Sequence, residues 1–107
     1  MKRYGQILKI VPGKEDRYKE LHAAVWPEIL EILRKNNIVN YSIYLKDGYL
    51  FSYYEYFGDN YEADMAKCAE EPAMKKWWEQ CVPCQKPVDA AKENEWWAQM
   101  EEVFHMD

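Results

Sequence analysis

The elements legible in this chain follow the order β-α-β-β-α-β, which predicts a ferredoxin-like α+β fold: an antiparallel sheet with its helices on one face. Three observations carry the prediction. Runs rich in β-formers alternate with runs of helical period in that order. The sharpest turn signals, Pro12-Gly13 and Lys46-Asp47-Gly48, fall between such runs. At 107 residues the chain supports one core and little more, so residues 1–107 form a single domain.

Tyr4 to Gly13 is a β-rich run closed by Pro12-Gly13 and makes the first strand. From Lys14 to Asn37 the apolar residues Leu21, Val25, Ile29, Ile32 and Leu33 recur at helical spacing. Pro27 lacks a backbone donor and clashes with the preceding turn, so this helix breaks near Ala24 to Trp26 and Pro27 opens its second half. Ile38 to Leu45 is the second strand, Lys-Asp-Gly a hairpin signal, and Tyr49 to Phe57 the third strand. The next helix opens at Asp59, a suitable N-cap, and is broken by Pro72, which starts a further short helix through Trp77-Trp78. Residues 83–94 read as a loop. The last segment, from Glu95 onward, holds the fourth strand, with a helix over Glu95 to Met100 as the alternative. On the third strand neither alternate set, Tyr49/Phe51/Tyr53/Phe57 or Leu50/Ser52/Tyr54/Tyr56, is plainly polar. Both faces of the sheet therefore look covered, which favours a homodimer packing sheet against sheet; the alternative is that tyrosine tolerates exposure and nine of them blur the pattern.

Composition narrows the function. Net charge is −5 with no basic run, which argues against nucleic acid and anionic membrane surfaces as partners. No stretch reaches membrane-spanning length, and the N-terminal apolar run is too broken for a signal peptide, so the expected location is cytoplasmic. Three cysteines, Cys68, Cys81 and Cys84, are too few and too odd in number for a disulfide framework. The Cys81-Val82-Pro83-Cys84 spacing follows a helix and has no second ligand pair, so neither metal nor redox chemistry is expected there. The aromatic content is 16%, with nine Tyr and five Trp, more rings than so small a core can bury. Some must line a pocket or a partner.

His22 is the residue that stands out. At about 100° per residue, Tyr18, His22, Val25 and Ile29 fall within roughly a quarter turn, so the histidine points with the core residues. A buried histidine satisfied by one carbonyl is the plain alternative. The nearby proline break, Tyr18 one turn away and the aromatic strand opposite favour a cleft instead. Tyr41 alternates with Val39, Ile43 and Leu45 and so faces inward, where its hydroxyl needs a partner: His22, water or a ligand. Trp77 and Trp78 diverge by about 100°, which suits either one core ring and one interface ring or a wall for stacking on the C–H faces of a sugar. Trp96-Trp97 invites the same idea with less support, and His105 near the C-terminus reads as structural.

Taken together, "YKELH", "VWPEI", "NYSIYL", "KKWW" and the ending "EEVFHM" resemble the L-rhamnose mutarotase family, at similar spacing through nearly the whole chain. The resemblance implies a dimeric ferredoxin-like α+β barrel that interconverts the α and β anomers of L-rhamnose. It implies His22 as proton donor, and Tyr18, Tyr41, Trp77 and Trp78 as substrate contacts. No metal or cofactor is needed. The chemistry agrees: mutarotation needs one proton delivered to the ring oxygen and another taken from the anomeric hydroxyl, and histidine titrates in the right range. The base is open among Glu55, a tyrosine and water, because the hairpin register decides whether Glu55 shares a face with Tyr41. A family member acting on another 6-deoxy sugar, a dimeric αβ-barrel monooxygenase and a non-catalytic sugar-binding module remain as alternatives, since fold alone does not set function.

Overall fold

The computed structural model describes residues 1–107. In chain order it comprises β1 (Lys2–Ile10), α1 (Glu15–Ala23), α2 (Pro27–Lys35), β2 (Ile38–Lys46), β3 (Tyr49–Tyr56), α3 (Tyr61–Glu70), α4 (Pro72–Cys81), a 3-10 turn over Val82–Cys84, β4 (Gln85–Lys86) and β5 (Ala98–Met100). The strands form one antiparallel sheet in the order β2-β3-β1-β4, with β5 also beside β1. The ferredoxin-like expectation holds.

Local chemistry explains the boundaries. The helix predicted over Lys14 to Asn37 is split at Ala24–Trp26, as Pro27 requires. Trp26 before it takes an extended conformation (φ −59°, ψ 134°), the bias that a following proline imposes. α3 is capped by Asn60 rather than Asp59: the Asn60 side chain accepts a hydrogen bond from the Ala63 amide at 3.1 Å. Either residue suits the role, and the helix start at Tyr61 selects the one immediately before it. The fourth strand is shorter than predicted, and no helix forms over Glu95 to Met100. Instead the free edge of β1 is shared, Lys9 and Ile10 pairing with β4 and Gly5 to Ile7 with β5. The segment predicted as a loop after Pro83 thus contributes a sheet residue, Gln85.

The two faces of the sheet differ. Leu8, Leu50, Ser52, Tyr54 and Tyr56 are buried beneath the helices. A second apolar cluster, including Leu21, Ile29, Ile32, Met74 and Trp77, fills the space among the helices. The opposite face carries Tyr44, Tyr49, Phe51 and Tyr53, and no helix of this chain covers it; Tyr44 is 67% exposed.

The β2–β3 hairpin contains the feature that places the site. Lys46 pairs with Tyr49, leaving Asp47 and Gly48 as a two-residue turn, both at positive φ (+52° and +80°). That conformation belongs to a type I′ turn and explains the Asp-Gly pair. Further along, Val39 pairs with Glu55 but Ser42 pairs with Tyr53, so Asn40 and Tyr41 together oppose Tyr54. This is a β-bulge, with Asn40 at φ +50°, a conformation asparagine tolerates better than most residues. Tyr41 faces the helices with Ile43 and Leu45, as predicted. Val39 does not belong to that set, because the extra residue reverses the alternation between them.

Candidate active site

The helical break leaves a cleft between α1, β2 and the end of α4. Its volume is about 370 Å³, and its walls include Tyr18, His22, Tyr41, Trp77 and Trp78. All five side chains singled out from the sequence therefore meet at one cavity. A contiguous lobe of about 300 Å³ extends toward Leu30 and Leu33 of α2 and shares His22, Tyr41, Ile43 and Trp77. Both volumes lie near the lower end of small-ligand clefts, roughly 300–1,000 Å³. No Asp, Glu, Lys or Arg lines either lobe.

His22 stands where the lobes join. Its Nδ1 lies 2.9 Å from the backbone carbonyl oxygen of Tyr18, one turn earlier on α1. A carbonyl only accepts, so Nδ1 carries the hydrogen and Nε2 of the neutral ring keeps its lone pair. The ring stacks on Tyr18, centroids 4.1 Å apart, and meets Trp77 edge-on at 5.3 Å. Burial among these rings lowers the imidazole pKa from 6.5, opposed by the hydrogen bond to Tyr18. His22 is thus neutral at pH 7, and its tautomer is set by the helix backbone. Tyr18 orients it by its carbonyl and its ring face; the Tyr18 hydroxyl lies elsewhere in the cavity.

The tryptophans divide their roles. Trp77 is 6% exposed, packs edge-on to Trp26 at 5.2 Å and belongs to the interhelical core while presenting one side to the cavity. Trp78 is 41% exposed and forms the rim. Adjacent helical positions cannot make one flat wall, so the pair supplies a floor and an edge. Tyr41 enters from β2 on the same alternation as Ile43 and Leu45, its ring 5.1 Å from that of Tyr54.

Glu55 lies on the outer face of the sheet. There it accepts hydrogen bonds from the Tyr53 hydroxyl at 2.7 Å and the Asn40 amide at 3.2 Å. The two-residue turn settles the register, and Glu55 does not share a face with Tyr41. His105 is remote from the cleft and pairs with Asp107 at 2.8 Å. Cys81 borders the cavity, where burial pushes its thiol up to about 12, and Cys84 is sealed in the sheet-side core. The Cys81 thiol therefore stays protonated near neutral pH.

Sequence reasoning missed Gln85 altogether and gave Trp96 too little weight; both line the cavity. Gln85 sits on a two-residue strand. So short a strand has no alternation to detect, and the one available signal was a polar residue between Cys84 and the tandem tryptophans.

Comparison with known proteins gives the chain a family. A family model described as L-rhamnose mutarotase matches residues 3–106. A protein of Oceanobacillus iheyensis named L-rhamnose mutarotase is 36% identical over 109 residues, covering both chains completely. One of the same name from Listeria monocytogenes is 38% identical over 88 residues, 80% of this chain and 82% of the relative. Among solved structures, the L-rhamnose mutarotase of Formosa agariphila superposes with a TM-score of 0.78 at 27% identity over the full length of both chains. Tetracenomycin F2 cyclase of Streptomyces glaucescens matches with a TM-score of 0.72 at 10% identity, a likeness of fold alone. With its family model matched almost end to end and full-length relatives above 30% identity, this chain belongs to the L-rhamnose mutarotase family.

Proposed function

We propose that this protein interconverts the α and β anomers of L-rhamnose, with His22 as the group that moves the proton. One observation carries the reading. In a cleft without a charged side chain, His22 alone titrates near neutrality, and its Nδ1–H is committed to Tyr18 so that Nε2 is left for a ligand.

The chemistry follows from that arrangement. Neutral Nε2 takes the proton of the anomeric hydroxyl. The C1–O5 bond breaks as the C1–O1 bond becomes a carbonyl, and the electron pair passes to O5. The imidazolium then gives its proton to O5. Both oxygens are bonded to C1, so one nitrogen can serve both, and the donor role implied for His22 is the second half of its cycle. No separate carboxylate base is needed, in keeping with the position of Glu55. The open aldehyde rotates about C1–C2 and closes by the reverse steps on its other face. Tyr18, Tyr41, Trp77 and Trp78 hold the sugar, the indole rings packing on its C–H faces. The His22 imidazolium is transient, which suits a site whose burial disfavours the charge.

The functional unit is a homodimer, a reading supported by the outer aromatic face of the sheet, where Tyr44 and Tyr49 are exposed beside half-buried Phe51 and Tyr53. A cytoplasmic location is supported by three free, buried thiols. Saturation-transfer NMR of L-rhamnose near neutral pH tests the activity directly. Exchange between anomers is faster with the wild type and falls to background with His22→Ala. Unchanged exchange with the wild type would sink the rhamnose assignment.

A further inference from the structure

We propose that Gln85 and Trp96 are positioning residues that fix the Tyr18 hydroxyl as a hydrogen-bond donor to the bound sugar. Three polar groups line one side of the cleft in a chain. The Trp96 indole Nε1 lies 2.9 Å from Gln85 Oε1, and Gln85 Nε2 lies 3.2 Å from the Tyr18 hydroxyl oxygen. The direction of this chain has a single solution. An indole N–H can only donate, so the Gln85 atom facing it must be the carbonyl oxygen. The Gln85 amide nitrogen then faces Tyr18 and donates to it. Reversing the Gln85 amide would set two donors against each other at Trp96.

The Tyr18 oxygen is thereby an acceptor toward Gln85. Its own hydrogen has no protein acceptor, and the residue borders the cavity. Gln85 is buried and Tyr18 is 4% exposed, so the Gln85–Tyr18 link is shielded from competing water, while the Trp96 ring stands at the exposed end of the chain. Burial keeps the Tyr18 phenol protonated well above neutral pH. A sugar hydroxyl or ring oxygen meets a donor there rather than a group free to rotate either way. A site built to donate to a particular oxygen discriminates against sugars that lack it or present it elsewhere. Gln85 comes from the short strand beside β1 and Trp96 from the segment leading to β5. The C-terminal stretch thus reaches the site although it supplies no group to the proton transfer.

This assignment rests on the sugar reading above and is tested on the full-length protein. Gln85→Glu places a carboxylate that accepts from both neighbours, so Tyr18 donates to it and turns only lone pairs toward the sugar. The expected loss in kcat/KM is about 10- to 100-fold, chiefly through KM. Trp96→Phe keeps a ring but frees the Gln85 amide to reverse, at an expected cost of about 3- to 10-fold. Both losses vanish when the same changes are made in a Tyr18→Phe background, because no hydroxyl remains to be oriented. In ¹⁵N-tryptophan-labelled protein without sugar, Gln85→Met moves the Trp96 indole resonance upfield and speeds its exchange with solvent. Losses that persist in the Tyr18→Phe background, or an indole resonance that does not move, overturn the assignment while leaving the sugar reading intact. A wild type that neither binds L-rhamnose nor speeds its anomer exchange overturns the sugar reading and the assignment with it.

Discussion

The chain has two histidines and places each beside a hollow of similar size, about 370 Å³ at His22 and about 380 Å³ at His105. The surroundings differ in kind. The His105 hollow is bordered by Arg3, Glu101 and Glu102, with Arg3 and Glu102 paired at 2.7 Å, and His105 itself reaches the exposed Asp107. Arg3 and Glu102 already neutralise each other with solvent close by, so a ligand would gain little by replacing that pair. The His22 hollow has aromatic walls, no formal charge and an imidazole whose second nitrogen is uncommitted. A histidine becomes useful for catalysis when its backbone partner fixes one nitrogen and desolvation keeps the other neutral and available.

Changes at the two sites should therefore have very different effects. The largest is at the catalytic ring: His22→Ala lowers kcat/KM for anomer exchange by about 10²- to 10⁴-fold, read by saturation-transfer NMR. A loss smaller than tenfold would mean that another group moves the proton. Trp77→Ala removes a buried ring shared by core and cleft and destabilises the fold by about 3–5 kcal/mol, read by urea unfolding. Next comes pH. Because the His22 pKa is lowered from 6.5 and the neutral ring starts the cycle, kcat/KM is flat from pH 8 to pH 7. It then falls up to tenfold per unit on acidification below the depressed pKa. A rate that instead rises as His22 takes up a proton would show the imidazolium to be the starting form. Trp78→Ala, at the exposed rim, raises KM about 2- to 10-fold with little change in unfolding. Smallest is His105→Ala, which leaves exchange unchanged and stability within about 0.5 kcal/mol. Any larger effect on exchange would tie the second hollow to the reaction.

Residue spacing was sufficient for much of this molecule. The proline break, the Asp-Gly hairpin and the inward face of Tyr18 and His22 follow from local rules. A missing amide donor, a turn that needs positive φ and a 3.6-residue period act within a few residues. The same rules chose Asp59 over Asn60 as a cap, since neighbouring residues of equal aptitude are separated only by where the helix starts. They also grouped Val39 with Tyr41, because alternation cannot foresee an extra residue.

What only the tertiary structure decided concerns pairings across long stretches of chain. The bulge at Asn40 and Tyr41 exists because β2 must match β3 at both ends, and the same register puts Glu55 on the outer face. β4 exists because the free edge of β1 offers unpaired backbone groups that Gln85 and Lys86 satisfy. Gln85 meets Tyr18 across 67 residues, and Trp96 completes the chain from farther on. The sequence alone determined the element order, the inward histidine and the supply of aromatic walls, because these depend on period and composition. The direction of hydrogen bonds within the cleft was set only when the fold brought donors and acceptors from distant parts of the chain into contact.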